Sequence, residues 1–475
     1  MNAGSPDSPS SRAAPRVAIA TLGCRVNFAD SMQLEEAFRD RNATLVPTDQ
    51  AADIYVVNSC TVTHAADSDA RKLARRFKRH NPAAQVVVTG CYAQVSADAL
   101  EAIPEIDRVI GNDGKDKLAD VVLGNGGSQN ALQTEANGQA CALPHRNKRS
   151  RNRVWNARVR PAGSHITALP ESRTRPFLKV QDGCDYSCSF CIIPRARGVS
   201  RSSTVDEVFD TAMRYADLGA SELVLTGIHL GHWGRDLTPR VAFSDMVAAL
   251  ADKLTSDGRI RRLRLGSVEP NEVTDDLVAL WRDHPLLARH AHIPLQSGDD
   301  GVLKRMRRLY TVEQYRDVIA RLRTALPDAA IGADVLVGHP GEDDDAYANT
   351  RGLIESLDLT YLHVFPFSAR RDTPSAAMTD VVDQRDKSAR VRELIALSDA
   401  RRHFFHRRFV GKVVPAIVLD RVGDPAQETA GARALTDNYI PVRVAGDHAT
   451  LPPNGAMIDV VIDEAGARRC MARAA

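Results

Sequence analysis

Three short apolar runs near the start of the chain each stop at a cysteine. Arg16-Val-Ala-Ile-Ala-Thr-Leu-Gly23 ends at Cys24, Asp53-Ile-Tyr-Val-Val-Asn-Ser59 at Cys60, and Gln85-Val-Val-Val-Thr-Gly90 at Cys91. Each run is short, β-branched and continuous rather than alternating. That is the pattern of a strand buried on both faces of a parallel sheet. Helical stretches, Asp30–Arg39 and Ala65–His80, lie between the runs. Strand, helix, strand, helix, strand predicts a doubly wound α/β domain over residues 15–125. Ligands of such sheets bind at the edge formed by the strand C-termini, where neighbours are ~4.8 Å apart. The cysteines are 36 and 31 residues apart, one βα unit each. Cys24, Cys60 and Cys91 can therefore reach one metal cluster, with one metal position lacking a protein ligand. Buried structural cysteines are the other reading.

A second triplet lies in Gln181-Asp-Gly-Cys184-Asp-Tyr-Ser-Cys188-Ser-Phe-Cys191, a C-x3-C-x2-C spacing. Thiolates this close, on a loop, converge on one face of a cluster and leave one iron of four open. Four protein ligands suit electron transfer; an open iron also binds a small molecule. A zinc loop or buried thiols are the competing readings. Zinc loops usually repeat C-x2-C pairs or bring a fourth ligand nearby, and no His follows Cys191 within about twenty residues.

Around this triplet, six strand candidates alternate with helical stretches over residues 174–403. They are Phe177–Val180, Glu222–Leu225, Arg262–Gly266, His290–Pro294, Ala330–Val337 and Tyr361–Phe365. Six βα units predict a partial, open (β/α)6 barrel. The triplet follows the first strand, at the end where barrel enzymes place chemistry. Thr226-Gly227, Ser267 with Glu269, Gln296 and Asp334 fall at the ends of or within later strands of the series. His229 and His232 read as polar loop residues.

The 475 residues exceed one ordinary core. Lys and Arg number 62 against 60 Asp and Glu, so any basic surface is local. One such region is the linker, residues 126–173. Between His145 and Arg160 it holds Arg146, Lys148, Arg149, Arg151, Arg153, Arg158 and Arg160, no acid, and Trp155. The run suits a phosphate backbone and a stacked base, or equally a solvated connector. Lys304–Arg308 reads as a solvated helix face, and Arg401–Arg408 as part of an RNA track. Residues 404–475 are too few for a large core. Val413–Leu419, Tyr439–Val444 and Met457–Ile462 predict a small β-barrel there. Residues 1–14 read as a disordered tail without a secretory apolar region. No run of eighteen apolar residues suggests a membrane span. A cytosolic setting is expected, in which the eight cysteines serve metal rather than disulfides. Cys141 and Cys470 read as incidental.

Thr21-Leu-Gly-Cys24-Arg-Val-Asn27, Val57-Asn58-Ser-Cys60-Thr-Val-Thr63, Thr89-Gly-Cys91 and Gly111-Asn-Asp-Gly-Lys115, with the central triplet, resemble the radical S-adenosylmethionine methylthiotransferases. The likeness spans about residues 15–470 and is nearest the branch acting on N6-threonylcarbamoyladenosine in tRNA. Arg25 stands where that branch has Lys, and Phe28 and Ala29 also depart from its pattern. Val337-Gly-His339-Pro-Gly-Glu342 resembles Val-Gly-Phe-Pro-Gly-Glu, with an imidazole for a phenyl ring.

The resemblance implies two [4Fe-4S] clusters, on Cys184/Cys188/Cys191 and on Cys24/Cys60/Cys91, the latter supported by Asn27 and Asn58. It implies S-adenosylmethionine bound by Phe190, Thr226, Gly227, Ser267, Glu269, Gln296 and Asp334. Arg197 and Arg201 would hold its carboxylate or an RNA phosphate. It implies C2 methylthiolation of the modified adenosine beside the anticodon, with a second S-adenosylmethionine giving the methyl group. A C-terminal TRAM-like RNA-binding domain, a sulfur donor and a flavodoxin- or ferredoxin-type electron donor follow. The alternatives are the same chemistry on isopentenyladenosine tRNA or a ribosomal-protein aspartate, and a non-catalytic metal-binding RNA protein.

Overall fold

The continuous apolar runs are continuous because both faces of their sheet are covered. In a strand, successive side chains point to opposite faces. Tyr55 and Val57 pack with Ala70, Ala74 and Phe77, whereas Ile54 and Val56 pack with Leu34, Phe38 and Leu118. The computed structural model describes residues 13–124, 174–422, 431–446 and 451–475. The tail to residue 12 and the whole linker, with Cys141, Trp155 and the basic run, lie outside the described residues. Among those described, 13–23 and 31–124 pack as one compact unit, and 24–30 with the residues from 174 onward as another.

In the first unit the sheet runs β2 (Thr44–Leu45), β1 (Arg16–Thr21), β3 (Ile54–Ser59), β4 (Gln85–Gly90), β5 (Arg108–Val109), all parallel. The three predicted strands are neighbours, in chain order. Helices α1 (Arg25–Arg39) and α2 (His64–His80) follow β1 and β3, and α1 starts five residues earlier than expected. Short helices α3 (Cys91–Val95), α4 (Ala97–Glu101) and α5 (Leu118–Leu123) follow β4.

The second unit contains all six expected parallel strands. A two-stranded hairpin of β7 (Gln181–Asp182) and β8 (Arg201–Ser202) follows the first, β6 (Phe177–Lys179). β6, β9 (Glu222–Thr226) and β10 (Arg262–Leu265) form one ladder; β11 (His290–His292), β12 (Ala330–Val337) and β13 (Tyr361–Pro366) form another. Parallel bridges Leu263↔Leu287 and Ser267↔His292 join the two between β10 and β11. Helices α6 (Ile193–Arg197), α7 (Val205–Asp217), α8 (Phe243–Asp257), α9 (Asp275–Asp283), α10 (Asp300–Arg305), α11 (Val312–Ala325) and α12 (Asp344–Ser356) fill the crossovers. A helix absent from the sequence reading, α13 (Gln384–Arg407), packs on β13.

The C-terminal barrel closes with five strands rather than the three expected. They are β14 (Val413–Val422), β15 (Gly431–Thr436), β16 (Pro441–Ala445), β17 (Met457–Glu464) and β18 (Cys470–Ala474), in the order β14-β15-β16-β18-β17. Cys470 is not incidental: it is buried in this barrel's core with Val442, Val460 and Ile462.

Candidate active site

The cysteine loop is pinched at its neck. β7 and β8 pair Gln181 with Ser202 and Asp182 with Arg201, bracketing residues 183–200. Gly183 turns the chain at φ +74°, where a Cβ would lie 1.9 Å from the Val199 carbonyl oxygen. Gln181 is buried: its Nε2 donates to the Gly183 carbonyl at 2.8 Å and to Ser200 Oγ at 2.9 Å. Its Oε1 accepts from the His229 backbone N at 2.8 Å. Beneath the neck, Arg197 is 2% exposed and donates to Asp182, Asp30 and Asn27. Lys179 joins the set through Asp30 at 2.6 Å and Asp182 at 2.9 Å. Burial alone would raise the Asp182 carboxyl; the Arg197 and Lys179 charges outweigh it and hold Asp182 well below the usual range. Arg197 therefore clamps the loop instead of presenting its guanidinium to a ligand. Arg201 lies 4.0 Å from Asp182 on the same side.

The three thiols sit among polar groups from distant strands. Cys188 is buried, and Arg308 Nη1 donates to its Sγ at 3.3 Å. Cys184 Sγ accepts from the Tyr186 backbone N and lies 3.4 Å from His229 Nδ1. Burial first, then the neighbouring sulfurs, pushes Cys184 and Cys191 up to about 12. Thiols so placed need a cation to become thiolates, which fits an iron cluster bound through three cysteines. Arg308 is not on a solvated face. It is buried, pairs with Glu269 and lies over the Tyr310 ring, so Glu269 is engaged as well. Arg401 and Arg408, in the other expected basic patch, donate to carbonyls of Leu357, Glu355 and Pro327.

His229 and His232 are likewise more than loop residues. Their buried rings stack at 3.7 Å, and both meet Glu272 Oε1, at 2.9 and 3.2 Å. Tyr186, from the cysteine loop, stands edge-on to both. Sequence spacing gave no sign of Arg308, Glu272 or this packing, because each arrives from a segment that follows a later strand of the barrel.

The remaining expected cofactor residues are spread along the strand ends. Thr226 ends β9, and its carbonyl accepts from Val180 N at 3.0 Å. Gly227 has room for no side chain, since a Cβ would come 2.9 Å from Gln181 Oε1. Ser267 bridges to His292. Gln296 takes φ +65° and donates its backbone N to the Asp334 carbonyl at 2.8 Å. The Asp334 carboxylate is taken by His292 at 2.9 Å and His363 at 3.3 Å. Phe190, inside the loop, faces the His339 ring edge-on at 6.3 Å. His339 is buried, with Nδ1 3.0 Å from the Pro340 carbonyl and Nε2 2.8 Å from Ser375 Oγ and 3.2 Å from Ser189 Oγ. Ser375 also donates to Ser189, so His339 ties the cysteine loop to the segment after β13.

In the first unit, Thr21↔Asn58, Asn58↔Thr89 and Ser59↔Gly90 are level, so β1, β3 and β4 end at one edge. Cys60 directly follows β3, Cys91 opens α3, and both are buried. Gly90 stands at φ +94°, where a Cβ would strike the Ser59 carbonyl oxygen at 2.3 Å. Asn112 Nδ2 lies 3.7 Å from Cys91 Sγ. Asn58 is buried, donates to Ser31 Oγ at 2.8 Å and accepts from Lys115 Nζ at 3.2 Å. Cys24 follows β1 after two intervening residues and is exposed.

Six parallel strands in chain order, with a three-thiol loop after the first, define a radical S-adenosylmethionine barrel, and residues 178–354 match the Radical SAM superfamily. Residues 16–111 match a second family, described as Uncharacterized protein family UPF0004. The chain belongs to the methylthiotransferases. It is 36% identical over 450 residues to the threonylcarbamoyladenosine tRNA methylthiotransferase MtaB of Bacillus subtilis (strain 168), covering 95% of this chain and 94% of that one. It is 31% identical to the tRNA-2-methylthio-N(6)-dimethylallyladenosine synthase of Akkermansia muciniphila, covering 95% and 96%. Among solved structures, the radical S-adenosylmethionine methyltransferase TsrM from Kitasatospora setae, with cobalamin and a [4Fe-4S] cluster bound, shares the fold. The TM-score is 0.54 at 14% identity, covering 76% of this chain and 74% of that one.

Proposed function

We propose that the protein is a tRNA methylthiotransferase that converts N6-threonylcarbamoyladenosine to its 2-methylthio derivative. The observation that carries this reading is the pair of cysteine triplets. One lies on the loop after the first of six sequential parallel strands. The other follows three neighbouring strands whose ends are level. Held at these residues, one [4Fe-4S] cluster with S-adenosylmethionine would supply a 5'-deoxyadenosyl radical, the other cluster would pass on sulfur taken from a donor, and a second S-adenosylmethionine would supply the methyl group. The adenine C2–H is not acidic, so proton abstraction by a side chain is not the route.

The chain's own residues do the holding. Gln181, Asp182 and Arg197 fix the neck of the loop. Arg308 Nη1 donates to Cys188 Sγ and so orients that sulfur within the loop. Thr226, Gly227, Ser267, Gln296 and Phe190 remain the candidates for lining the S-adenosylmethionine site. Asn58, held by Ser31 and Lys115, supports the edge carrying Cys60 and Cys91. The C-terminal barrel, TRAM-like in its small closed form, is the candidate RNA-binding module. Sulfur and electrons come from separate donors, the latter of flavodoxin or ferredoxin type. The similarity to relatives named for threonylcarbamoyladenosine, up to 36% identity, supports that substrate.

Anaerobically reconstituted Cys188→Ala is expected to release no deoxyadenosine. Cys60→Ala is expected to release it but make no methylthiolated tRNA. Product from Cys60→Ala would refute the sulfur site, and a deletion strain whose tRNA keeps the 2-methylthio-threonylcarbamoyl nucleoside would refute the substrate.

A further inference from the structure

The second half of the barrel carries a cluster that the cysteine chemistry does not use. Asp334 on β12 is level with His363 on β13. Its Oδ1 meets His363 Nδ1 at 3.3 Å and His292 Nε2 at 2.9 Å. His292 Nδ1 lies 3.2 Å from the Tyr361 hydroxyl, and that hydroxyl lies 2.8 Å from His290 Nε2. His290, His292 and Tyr361 are buried. His363 is not: 40% of its side chain is exposed. Phe365 is two residues further along the strand and so on the same face. It is 42% exposed, and its ring stands edge-on to His363 at 6.4 Å.

We infer that His363 is a specificity-determining residue that binds the carboxylate of the substrate's N6 substituent, with Phe365 beside it as the surface for the base. This rests on the substrate reading above. Asp334 takes Nδ1, which leaves Nε2 as the nitrogen on offer at the open part of the ring. The ring thus stands between two carboxylates, Asp334 on one side and the substrate's on the other. Charge-assisted bonds of this kind are the strong ones. The exposed phenyl ring offers a stacking face that any base accepts. The buried row beneath holds the pair in place: Tyr361 joins His290 to His292, and His292 joins Asp334. An apolar N6 substituent would leave this polar pair unused, whereas an N6-acyl group ending in a carboxylate satisfies it. The contacts of Asp334 are hydrogen-bond contacts to both imidazoles, which themselves stack at 5.1 Å and 30°.

The test uses reconstituted holoenzyme and two synthetic anticodon stem-loops. One carries the threonylcarbamoyl group; in the other its carboxylate is a carboxamide. The wild type is expected to prefer the acid in kcat/KM by about 10- to 100-fold, the worth of one hydrogen bond to a charged group. In His363→Gln that preference is expected to fall to within about threefold, on the same scale. His363→Lys returns a cation to the position and is expected to restore a preference for the acid. A wild type that treats both substrates alike, or a His363→Gln that keeps the full preference, overturns the inference alone. A wild type that modifies neither overturns the substrate reading and the inference with it. One equivalent of a divalent metal other than iron, present in the wild type and lost in His363→Gln, would make the cluster a metal site and also overturn it.

Discussion

His339 shows what one departure from a family pattern does. The resembling motif has phenylalanine at this position, and a phenyl ring cannot accept a hydroxyl proton. Here Nδ1 faces a carbonyl, so it carries the proton, and Nε2 accepts from the Ser189 hydroxyl, which itself accepts from Ser375. Burial holds this imidazole down at about 4, so it stays neutral while the cysteine loop is in place. The sign of the pH effect follows. Below the ordinary histidine range the unfolded ring takes a proton that the folded ring refuses. Stability is thus fully present above about pH 6.5 and is lost as pH falls toward about 4, by ~3 kcal/mol at most. Urea midpoints measured across that range are expected to fall more steeply for the wild type than for His339→Phe. Equal slopes would show that the ring is already protonated in the folded protein.

At the scale of single elements, β12 works because one of its residues has no side chain. A Cβ on Gly332 would lie 2.1 Å from Tyr361 Cζ, and that ring carries the hydroxyl shared by His290 and His292. Gly332→Ala is expected to cost about 1–3 kcal/mol, the usual penalty of overpacking. It should also weaken the protein's preference for the acid stem-loop; a thermal melt and a preference both unchanged would count against the packing described. Which elements were legible in the sequence follows from where their side chains go. β3 and β4 bury both faces, so their apolar runs stand out. β2 and β5 have two residues each and carry no pattern. β15 and β18, Gly-Ala-Arg-Ala-Leu-Thr and Cys-Met-Ala-Arg-Ala, are rich in residues that favour helices. α13 buries Lys387, Arg390 and Ser398 as well as Leu394 and Phe405, so it shows no apolar stripe. The cysteines were legible because one triplet repeats a strand-end context and the other is packed into a C-x3-C-x2-C spacing. Arg308 and Glu272 were not, because neither lies near the loop in sequence and only the barrel's strand order brings them to it.

Across the whole second unit, one carboxylate joins the two barrels. Glu222 is buried and accepts from Arg262 at 3.1 Å, Arg264 at 2.9 Å and Arg175 at 3.4 Å. Burial alone would raise its carboxyl, but the guanidiniums prevail and hold it low. The same arginines reach the C-terminal barrel: Arg262 donates to the Pro415 carbonyl, and Arg264 to those of Thr436 and Asp437. Glu222→Ala removes the carboxylate shared by three guanidiniums and leaves, among the described carboxylates, only Asp437, 3.3 Å from Arg262, to offset them, a loss of about 3–5 kcal/mol. Limited proteolysis is expected to release the C-terminal barrel from this variant first. If denaturation midpoint and cleavage pattern both match the wild type, Glu222 is not the joint. The strand order of that barrel also governs when it forms. β18 enters between β16 and β17, parallel to one and antiparallel to the other. During synthesis β14 to β17 emerge first, and β16 and β17 then each present an unpaired edge. Closure waits for β18, the last of these five strands in chain order, which pairs locally with β17 and at longer range with β16. The nascent chain carries an open sheet into the cell for that interval, and it is then that the protein is most exposed to aggregation.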